Sequence, residues 1–399
     1  MTGIVQGFCG ARLTEARKAS GKSATDLAEL AGVSVQSISK YENGHQNPKF
    51  DVFHKLVSIL NVPRDYFFRP VPGKDERPIF WRARLTAPPT ARDRAEVRLE
   101  WMKEIVDYLE NYFDLPELNI PKIEFHEENI ADMDFVESTA KEMREFWGIK
   151  PGPMPDTIEK LETNGILVSR IHVNADKLDA FSQWSDTFNM PFVVLSRDKA
   201  SACRQRFDVL HELVHICCHN NVPQRRLNDR AFYKLIEKQA DRIASAMLLP
   251  EYEFTSELYA PSLDGFLTLK ERWGASVASM IMRCKGLDII DEDQATRLWI
   301  NYNRRGWRKS EPLDNKMKKE DPQLIRRSFE MLVEEGVQSH DEISRSLPFP
   351  PKDLEELSDL PPGTFRNAPE ARAEPILKEQ FRRETLPGTN VVSFPGKKT

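Results

Sequence analysis

The spacing of apolar residues near the start of the chain predicts two short helices joined by a glycine turn. Residues 25–31 carry apolar side chains at helical intervals and end at Gly32, which adopts a left-handed helix cap without strain. Ser34 stands where an N-cap is expected, ahead of a second helical segment, 35–42, that Gly44 ends. A helix, a tight turn and a second helix form a helix-turn-helix, whose second helix enters the major groove of DNA.

A long amphipathic helix is predicted after the two prolines at positions 88 and 89. Its apolar stripe is rich in aromatic residues, which is more typical of core packing than of a ligand cage. The stripe consists of Val97, Trp101, Tyr108, Leu109 and Tyr112. The segment before this helix, from Pro70 to Pro78, is rich in proline and charge and predicts a linker.

The middle of the chain predicts a small β-sheet packed on helices, an α+β arrangement. The apolar runs 166–171 and 192–195 predict strands, and residues 179–182 are assigned to the connection between them. An edge of this sheet could hold an extended substrate peptide by strand addition. A plain structural hairpin explains the same pattern equally well.

Residues 207–217 carry the pattern with the most chemical content. They include no Pro or Gly and keep apolar residues at helical spacing, which predicts a helix. His211 and His215 are four residues apart, so both imidazoles lie on one helix face, where they can share a Zn²⁺. Glu212 lies beside them as a base for a water that the ion activates. The alternative is a core helix with two hydrogen-bonded histidines.

A second predicted helix, ending before Pro250, offers a third ligand. Glu237 and Asp241 are four residues apart and share one face of it. Catalytic zinc takes three protein ligands, and two histidines with one glutamate form a known hydrolytic set. We assign Glu237 as the ligand, and Asp241 as the group that accepts the free N–H of a ligand histidine. A solvated acidic helix face is the alternative.

Other residues near these motifs are assigned supporting roles. His219 extends the histidine row, but the outer two histidines would be about 12 Å apart along one helix axis, so we assign His219 to packing or to a contact with a ligand. Cys217 and Cys218 are assigned as buried, small apolar residues. Tyr233 and His172 are candidate donors to an oxyanion, because their side chains could reach a zinc cleft.

Together these motifs resemble the ImmA/IrrE family of zinc metallopeptidases. The resemblance is carried by residues 179–182, 204–207, 211–215, 237–244 and 248–250. It implies a zincin-like, gluzincin-type domain with one Zn²⁺ per chain and an intracellular activity on a repressor-type protein. The family usually has glycine before the second histidine, where this chain has Val214. That difference narrows the space near the helix but removes no ligand.

The N-terminal residues resemble the Cro/repressor (XRE) family. The matching positions are Leu27, Ala28, 32–34, Ile38, Ser39, 41–44 and Pro48. By that resemblance Val35, Gln36 and Lys40 face the major groove of a double-stranded DNA operator. Ser34 and Asn43 would contact phosphate. The first seventy residues hold nine Lys/Arg and six Asp/Glu in a chain of net charge −5, a mild basic bias that fits DNA binding. A helical interaction module that kept only the fold is the alternative.

Length and composition narrow the class of protein. A chain of 399 residues suggests two or three domains, and no apolar run reaches the length of a membrane span. Five cysteines without a paired framework fit a reducing cytoplasm. The predicted parts are a helix-turn-helix domain, a linker with the amphipathic helix, a metallopeptidase domain, a helical C-terminal region that is compact up to about Phe349, and a flexible tail. Their bounds are 1–70, 71–122, 123–300, 301–375 and 376–399.

The resulting hypothesis is a cytoplasmic DNA-binding transcriptional regulator fused to a zinc-dependent endopeptidase. Its fold would be mainly α with a small β-sheet, and its partners an operator and a repressor-type protein, with no membrane. The alternative is a non-cleaving transcription factor or antirepressor whose zinc site is structural or a sensor. An open ligand set without cysteine, with Glu212 beside it, favours the enzyme. Whether the chain forms a homodimer is left open.

Overall fold

The computed structural model describes residues 4–73, 75–82, 88–172, 178–198 and 201–365. Its first part is a bundle of four helices: α1 Gly10–Ala19, α2 Ala24–Ala31, α3 Val35–Glu42 and α4 Phe50–Leu60. The predicted helix-turn-helix is confirmed as α2 and α3. Between them Gly32 takes the left-handed conformation, with a φ of 70°. The Ser34 hydroxyl caps α3 by accepting a hydrogen bond from the backbone N–H of Ser37.

Helix α5, Pro89–Glu110, is the long amphipathic helix expected from the sequence. Three residues of the predicted stripe are buried and one is partly buried: Val97, Trp101 and Leu109, and then Tyr108. Tyr112 lies beyond the end of the helix and is exposed. Buried residues occur on several sides of α5, because the helix is packed between the N-terminal bundle and a sheet.

That sheet has four strands in the order β1-β3-β4-β2. They are β1 Ile79–Trp81, β2 Leu167–Ile171, β3 Ala180–Ser185 and β4 Met190–Ser196. Strand β4 pairs parallel with β2 and antiparallel with β3, and β3 pairs antiparallel with β1. The two strands predicted from the apolar runs are confirmed as β2 and β4.

The assignment of residues 179–182 to a connection is wrong, because residues 180–185 form β3. This strand is buried on both faces, so its sequence lacks the alternation that marks a half-exposed strand. Its polar side chains tolerate burial because each has a partner: Ser182 donates to Glu212, and Gln183 accepts from Lys103. Strand β1 was not expected either, and it directly follows Pro78, the last residue of the segment predicted as a linker.

Helices cover both faces of the sheet. Those nearest to it in the chain are α6 Met133–Phe146, α7 Thr157–Glu162, α8 Ala202–Val214, α9 Gln224–Leu227 and α10 Arg230–Leu248. Helix α8 continues into one π-helical turn, His215–His219. Ala180 and Val193 belong to the apolar core shared with α8 and α10, whereas Phe181 and Phe192 belong to the core shared with α5.

The remaining described helices are α11 Glu251–Glu257, α12 Leu263–Trp273, α13 Val277–Gly286, α14 Glu292–Arg304, α15 Leu324–Glu334, α16 His340–Ser346 and α17 Pro351–Leu357. The compact part does not end at Phe349 as predicted, because α17 packs on β2. There the Ser169 hydroxyl donates to the Leu357 carbonyl at 2.7 Å. The tail predicted at 376–399 lies outside the described residues. Within the part of the chain that is described, no helix has the length and apolarity to cross a membrane.

Helix α5 joins the N-terminal bundle to the rest of the molecule. Arg12 of α1 donates to both carboxylate oxygens of Glu104 at 2.7 and 2.8 Å. The indole N–H of Trp101 donates to the hydroxyl of Tyr66 at 3.0 Å. One continuous apolar core contains residues of the bundle, of α5 and of the sheet. The two parts are therefore packed together, and not connected by the proline-rich segment alone.

Because α5 is shared, Trp101→Ala should destabilise the bundle and the sheet together. Trp101 is fully buried, and such a truncation costs about 3–5 kcal/mol of unfolding free energy. Chemical denaturation followed by tryptophan fluorescence and by far-UV circular dichroism should give one coincident transition, shifted to lower denaturant. Tyr252→Ala, at a side chain 80% exposed, is the control and should change stability by less than about 0.5 kcal/mol. Two separate transitions in the wild type would contradict the shared core.

Candidate metal centre

Three candidate ligands converge between α8 and α10. His211 and His215 lie one helical turn apart, and their Nε2 atoms are 3.0 Å apart. Glu237 of α10 approaches both, with Oε2 3.5 Å from His211 Nε2 and Oε1 3.1 Å from His215 Nε2. One ligand atom of each residue lies within 4.8 Å of the others. The structure thus brings together the three residues predicted as metal ligands.

A chain of hydrogen bonds determines which nitrogen of His215 is free. Gln239 donates its amide N–H to the Asn129 carbonyl at 3.0 Å, so its amide oxygen accepts from His219 Nε2 at 2.9 Å. The other nitrogen of His219, Nδ1, therefore accepts from His215 Nδ1 at 2.9 Å. Burial lowers the pKa of His219 to about 3, which keeps that ring neutral. The lone pair of His215 Nε2 is left facing the cluster.

Asp241 has the same effect on His211. Its Oδ1 accepts from His211 Nδ1 at 2.9 Å, which leaves Nε2 facing Glu237. Burial lowers the pKa of His211, but the contacts with Asp241 and Glu237 outweigh it and raise the value to about 10. Burial raises the pKa of Glu237, yet the two imidazoles hold it well below its usual range. The carboxylates of Asp241 and Glu237 therefore favour a positive charge at His211, either a proton or a metal ion.

The donor set fits zinc. It consists of two imidazole nitrogens and a carboxylate, which is a hydrolytic zinc set. His211 and His215 are 1% and 0% exposed. Among the described residues, Glu237 Oε1 is buried and has no partner in hydrogen-bond geometry. A buried oxygen without a partner is destabilising, and a cation at this position would remove that penalty.

Glu212 lies directly after His211 and is 0% exposed. The Ser182 hydroxyl donates to its Oε2 at 2.6 Å, while its buried Oε1 has no hydrogen-bond partner in the described part of the chain. Burial raises the pKa of Glu212 to about 8, a value suited to proton transfer near neutral pH. Neither Ser182 nor Gln239 was predicted as a site residue. Ser182 does stand in the segment 179–182 that carries the family resemblance.

The two candidate oxyanion donors lie in different surroundings. Tyr233 is on α10, one turn before Glu237, and its hydroxyl donates to the Trp81 carbonyl at 2.7 Å. Burial and then the charge of Glu237 raise the pKa of Tyr233, which keeps the hydroxyl protonated. His172 follows β2, and its Nδ1 lies 3.0 Å from a carboxylate oxygen of Glu356 on α17. Tyr233 is the candidate that borders the ligand cluster.

The residues predicted to contact DNA lie on the exposed side of α3 or at its two ends. They are Ser34, Val35, Gln36, Lys40 and Asn43, and all five are exposed. Ile38 and Tyr41 on the same helix are buried in the bundle and fix its orientation. This side of α3 is thus available to a partner.

Two protein families match separate parts of the chain. The family described as Peptidase M78, IrrE N-terminal-like domain, matches residues 161–285, and the helix-turn-helix family matches residues 13–67. The metal cluster and α2–α3 lie inside these matches. The chain therefore combines a helix-turn-helix domain of the XRE type with a Peptidase M78 domain of the IrrE/ImmA type.

The curated relatives are helix-turn-helix regulators. The HTH-type transcriptional regulator ImmR of Bacillus subtilis is 36% identical over 67 residues, which is 17% of this chain and 50% of that protein. A Methanocaldococcus jannaschii protein, provisionally classed as an HTH-type transcriptional regulatory protein, is 48% identical over 54 residues, 14% of this chain and 17% of that protein. An uncharacterized HTH-type transcriptional regulator of Sinorhizobium medicae is 36% identical over 64 residues, 16% of this chain and 46% of that protein. The chain thus spans half or less of the length of these relatives.

If the cluster is a metal site, the purified chain should carry about one Zn²⁺, as expected for a single set of three protein ligands. His211→Ala and Glu237→Ala should each lower the zinc content, measured by plasma mass spectrometry after dialysis. Binding must displace the proton that the raised pKa of His211 favours, so zinc affinity should fall on acidification, about tenfold per pH unit for one proton.

The matched control for the zinc measurement is His126→Ala. The side chain of His126 is exposed, and it belongs to a different part of the chain from the cluster. Full retention of zinc by both ligand variants would contradict the assignment of His211 and Glu237 as metal ligands.

Proposed function

We propose that this chain is a DNA-binding transcriptional regulator whose Peptidase M78 domain is a zinc-dependent endopeptidase. The observation that carries the proposal is the convergence of His211, His215 and Glu237, with the buried carboxyl of Glu212 beside them. A repressor-type protein is the proposed substrate, and double-stranded operator DNA is the other proposed partner. The helix-turn-helix domain on the same chain supports both, because it would bring the peptidase to DNA where repressors are bound.

Zinc held by these three residues would polarise the scissile carbonyl and activate a water as the nucleophile. The protein's own groups carry the proton. Glu212 accepts it from the water through Oε1, the oxygen that has no partner, and passes it to the leaving amine nitrogen. Ser182 holds the other carboxylate oxygen and so aims Oε1. A nearby cation lowers the pKa of Glu212 from its raised value, which makes it a base at neutral pH.

The hydrogen bonds around the ligands have a positioning role. Asp241 orients the ring of His211, and His219 with Gln239 orients the ring of His215. In zinc proteins, loss of such a partner typically lowers metal affinity or activity about 10–100-fold. Tyr233 is our proposed donor to the developing oxyanion, because its hydroxyl stays protonated and borders Glu237. Its single O–H donates to the Trp81 carbonyl in this structure, so it would leave that acceptor to reach the oxyanion.

The test of the peptidase is Glu212→Gln. The amide keeps the size of the side chain and can still bond to Ser182, so zinc and fold should be retained. It cannot accept the proton, so cleavage of repressors encoded beside this gene should fall about a hundredfold or more. Cleavage is read by gel electrophoresis and mass spectrometry, with the exposed Glu251→Gln as the matched control. Unchanged cleavage by the Glu212 variant would mean that another group is the base.

A non-cleaving regulator or antirepressor is the second candidate. It is favoured by the burial of the cluster, since His215 and Glu212 are 0% exposed. A zinc-loaded wild-type chain that binds neighbouring repressors and leaves all of them intact would support this candidate over the peptidase.

For the DNA-binding half, Gln36→Ala in the full chain should relax sequence preference on an operator. The side chain is exposed on α3, where it can pair with an adenine edge, and such a contact discriminates by about 1–3 kcal/mol. Binding to operator and mismatched duplexes is compared by fluorescence anisotropy at several salt concentrations. Gln6→Ala, an exposed glutamine outside α3, is the control. An equal loss of affinity on all sequences would make Gln36 a phosphate contact.

A further inference from the structure

Strand β1 runs along the edge of the sheet that borders the metal centre. Its backbone is antiparallel to β3, with Phe80 opposite Ser182, and the N–H of Arg82 donates to the Ala180 carbonyl at 3.1 Å. Ser182 is the residue whose hydroxyl holds Glu212. The strand therefore passes directly beside the proposed catalytic carboxyl.

Two side chains of this segment point into the metal centre, since alternate residues of an extended chain share a face. The ring of Phe80 stacks on the imidazole of His215, with centroids 4.7 Å apart and planes at 17°. The guanidinium of Arg82 lies 2.8 Å from Asp208 and 3.5 Å from Asp241, the carboxylate that orients His211. Phe80 thus contacts the proposed ligand His215, and Arg82 contacts Asp241, the hydrogen-bond partner of the other proposed ligand, His211.

The outer edge of β1 is closed by α10. The hydroxyl of Tyr233 accepts from the backbone N–H of Trp81 at 3.1 Å and donates to its carbonyl at 2.7 Å. These are the backbone groups that a further strand would use. While β1 is in place, an extended peptide can pair neither with β3 nor with the Trp81 edge.

Extended peptides bind sheet edges by this same antiparallel pairing. Strand β1 also lies outside residues 161–285, the part that matches the Peptidase M78 family. We propose that β1 fills the groove in which this metal centre binds its peptide substrate, and that substrates enter by displacing it. This inference rests on the proposed peptidase function and adds to it a closed state and a substrate class.

The groups that β1 contacts define the substrate class. Phe80 lies in a small apolar cluster with Ile130, Phe232 and others, which suits an aromatic or large apolar side chain. Asp208 is buried, and its carboxyl group lies 2.8 Å from the guanidinium of Arg82. A peptide that displaces Arg82 must replace this positive charge, because a buried carboxylate without a partner is strongly destabilising. The fitting substrate is an extended segment with an aromatic residue and, two positions later, Arg or Lys.

The first test locks β1 in place. Ile79 lies opposite Gln183, and the bond from Arg82 to Ala180 makes this a non-hydrogen-bonded pair, in which side chains are close. Ile79→Cys with Gln183→Cys should form a disulfide across the two strands. The probe is a fluorescent peptide, Arg-Pro-Ile-Phe-Trp-Arg, and the protein is the zinc-loaded full chain carrying Glu212→Gln, so that binding is read without turnover. Anisotropy should show probe binding in the reduced protein and its loss on oxidation.

The second test releases β1. Phe80→Ser with Arg82→Ser in the same Glu212→Gln background removes the stacking and the ion pairs. The probe should bind the released chain about tenfold or more tightly than the parent, because apparent affinity scales with the fraction of open groove. The matched control is Phe146→Ser with Arg308→Ser, which makes the same two substitutions at exposed side chains outside β1 and should leave affinity near that of the parent.

Equal affinity in the parent, locked and released chains would overturn the proposal and make β1 a permanent strand of the sheet. The reduced double-cysteine chain controls for the loss of Gln183, and the parent under the same oxidant controls for the native cysteines.

Failure of the proposed peptidase function is distinguishable from failure of the proposal for β1. Probe binding that follows the lock, with no cleavage by the chain carrying Glu212, would support the groove and reject the peptidase. Equal rates of cleavage by the locked and the reduced chains, both carrying Glu212, would support the peptidase and reject the proposal that β1 fills its groove.

Discussion

The burial of α5 between the N-terminal bundle and the sheet is the interaction on which the rest of the structure depends. Trp101 contacts Tyr66 of the bundle and stacks on Phe349 near the C-terminal helices, with centroids 5.2 Å apart. Arg12, which is buried, and Glu104, which is partly buried, add an ion pair to the same interface, where an unpaired charge would be destabilising. The bundle therefore has a fixed position relative to the metal centre, although the segment between them is rich in proline.

The metal centre depends on a second constraint, which is that buried polar groups need partners. Both imidazoles use their Nδ1 atoms for this purpose, one toward Asp241 and the other toward His219. Their Nε2 atoms are left to face Glu237, so the arrangement of lone pairs that a cation needs exists before the cation binds. The free energy needed to bring the three polar side chains together is then supplied during folding and not during metal binding, which is what a preorganised site requires.

Helix α5 also links β1 to the N-terminal bundle. Lys103 of α5 donates to Asp75, just before β1, at 2.7 Å, and to Gln183 of β3 at 2.8 Å. A shift of α5 against the sheet would act on both of these contacts. DNA binding would alter access to the metal centre only if the bound bundle favoured a different position of α5, since coupling requires a difference in free energy between two states.

Local spacing in the sequence determined the two helices of the helix-turn-helix, their caps at Gly32 and Ser34, and the shared helix face of His211 and His215. These features depend on residues within one or two turns, so the chain itself encodes them. The meeting of Glu237 with the histidines could be inferred because its residue type completes a known ligand set. The roles of Ser182 and Gln239 could not be inferred, because each depends on a contact with a side chain of another element. Ser182 of β3 donates to Glu212 of α8, and Gln239 of α10 accepts from His219. Strand β1 is three residues long and gains its pairing and burial from β3 and α10, so the tertiary structure alone decided it.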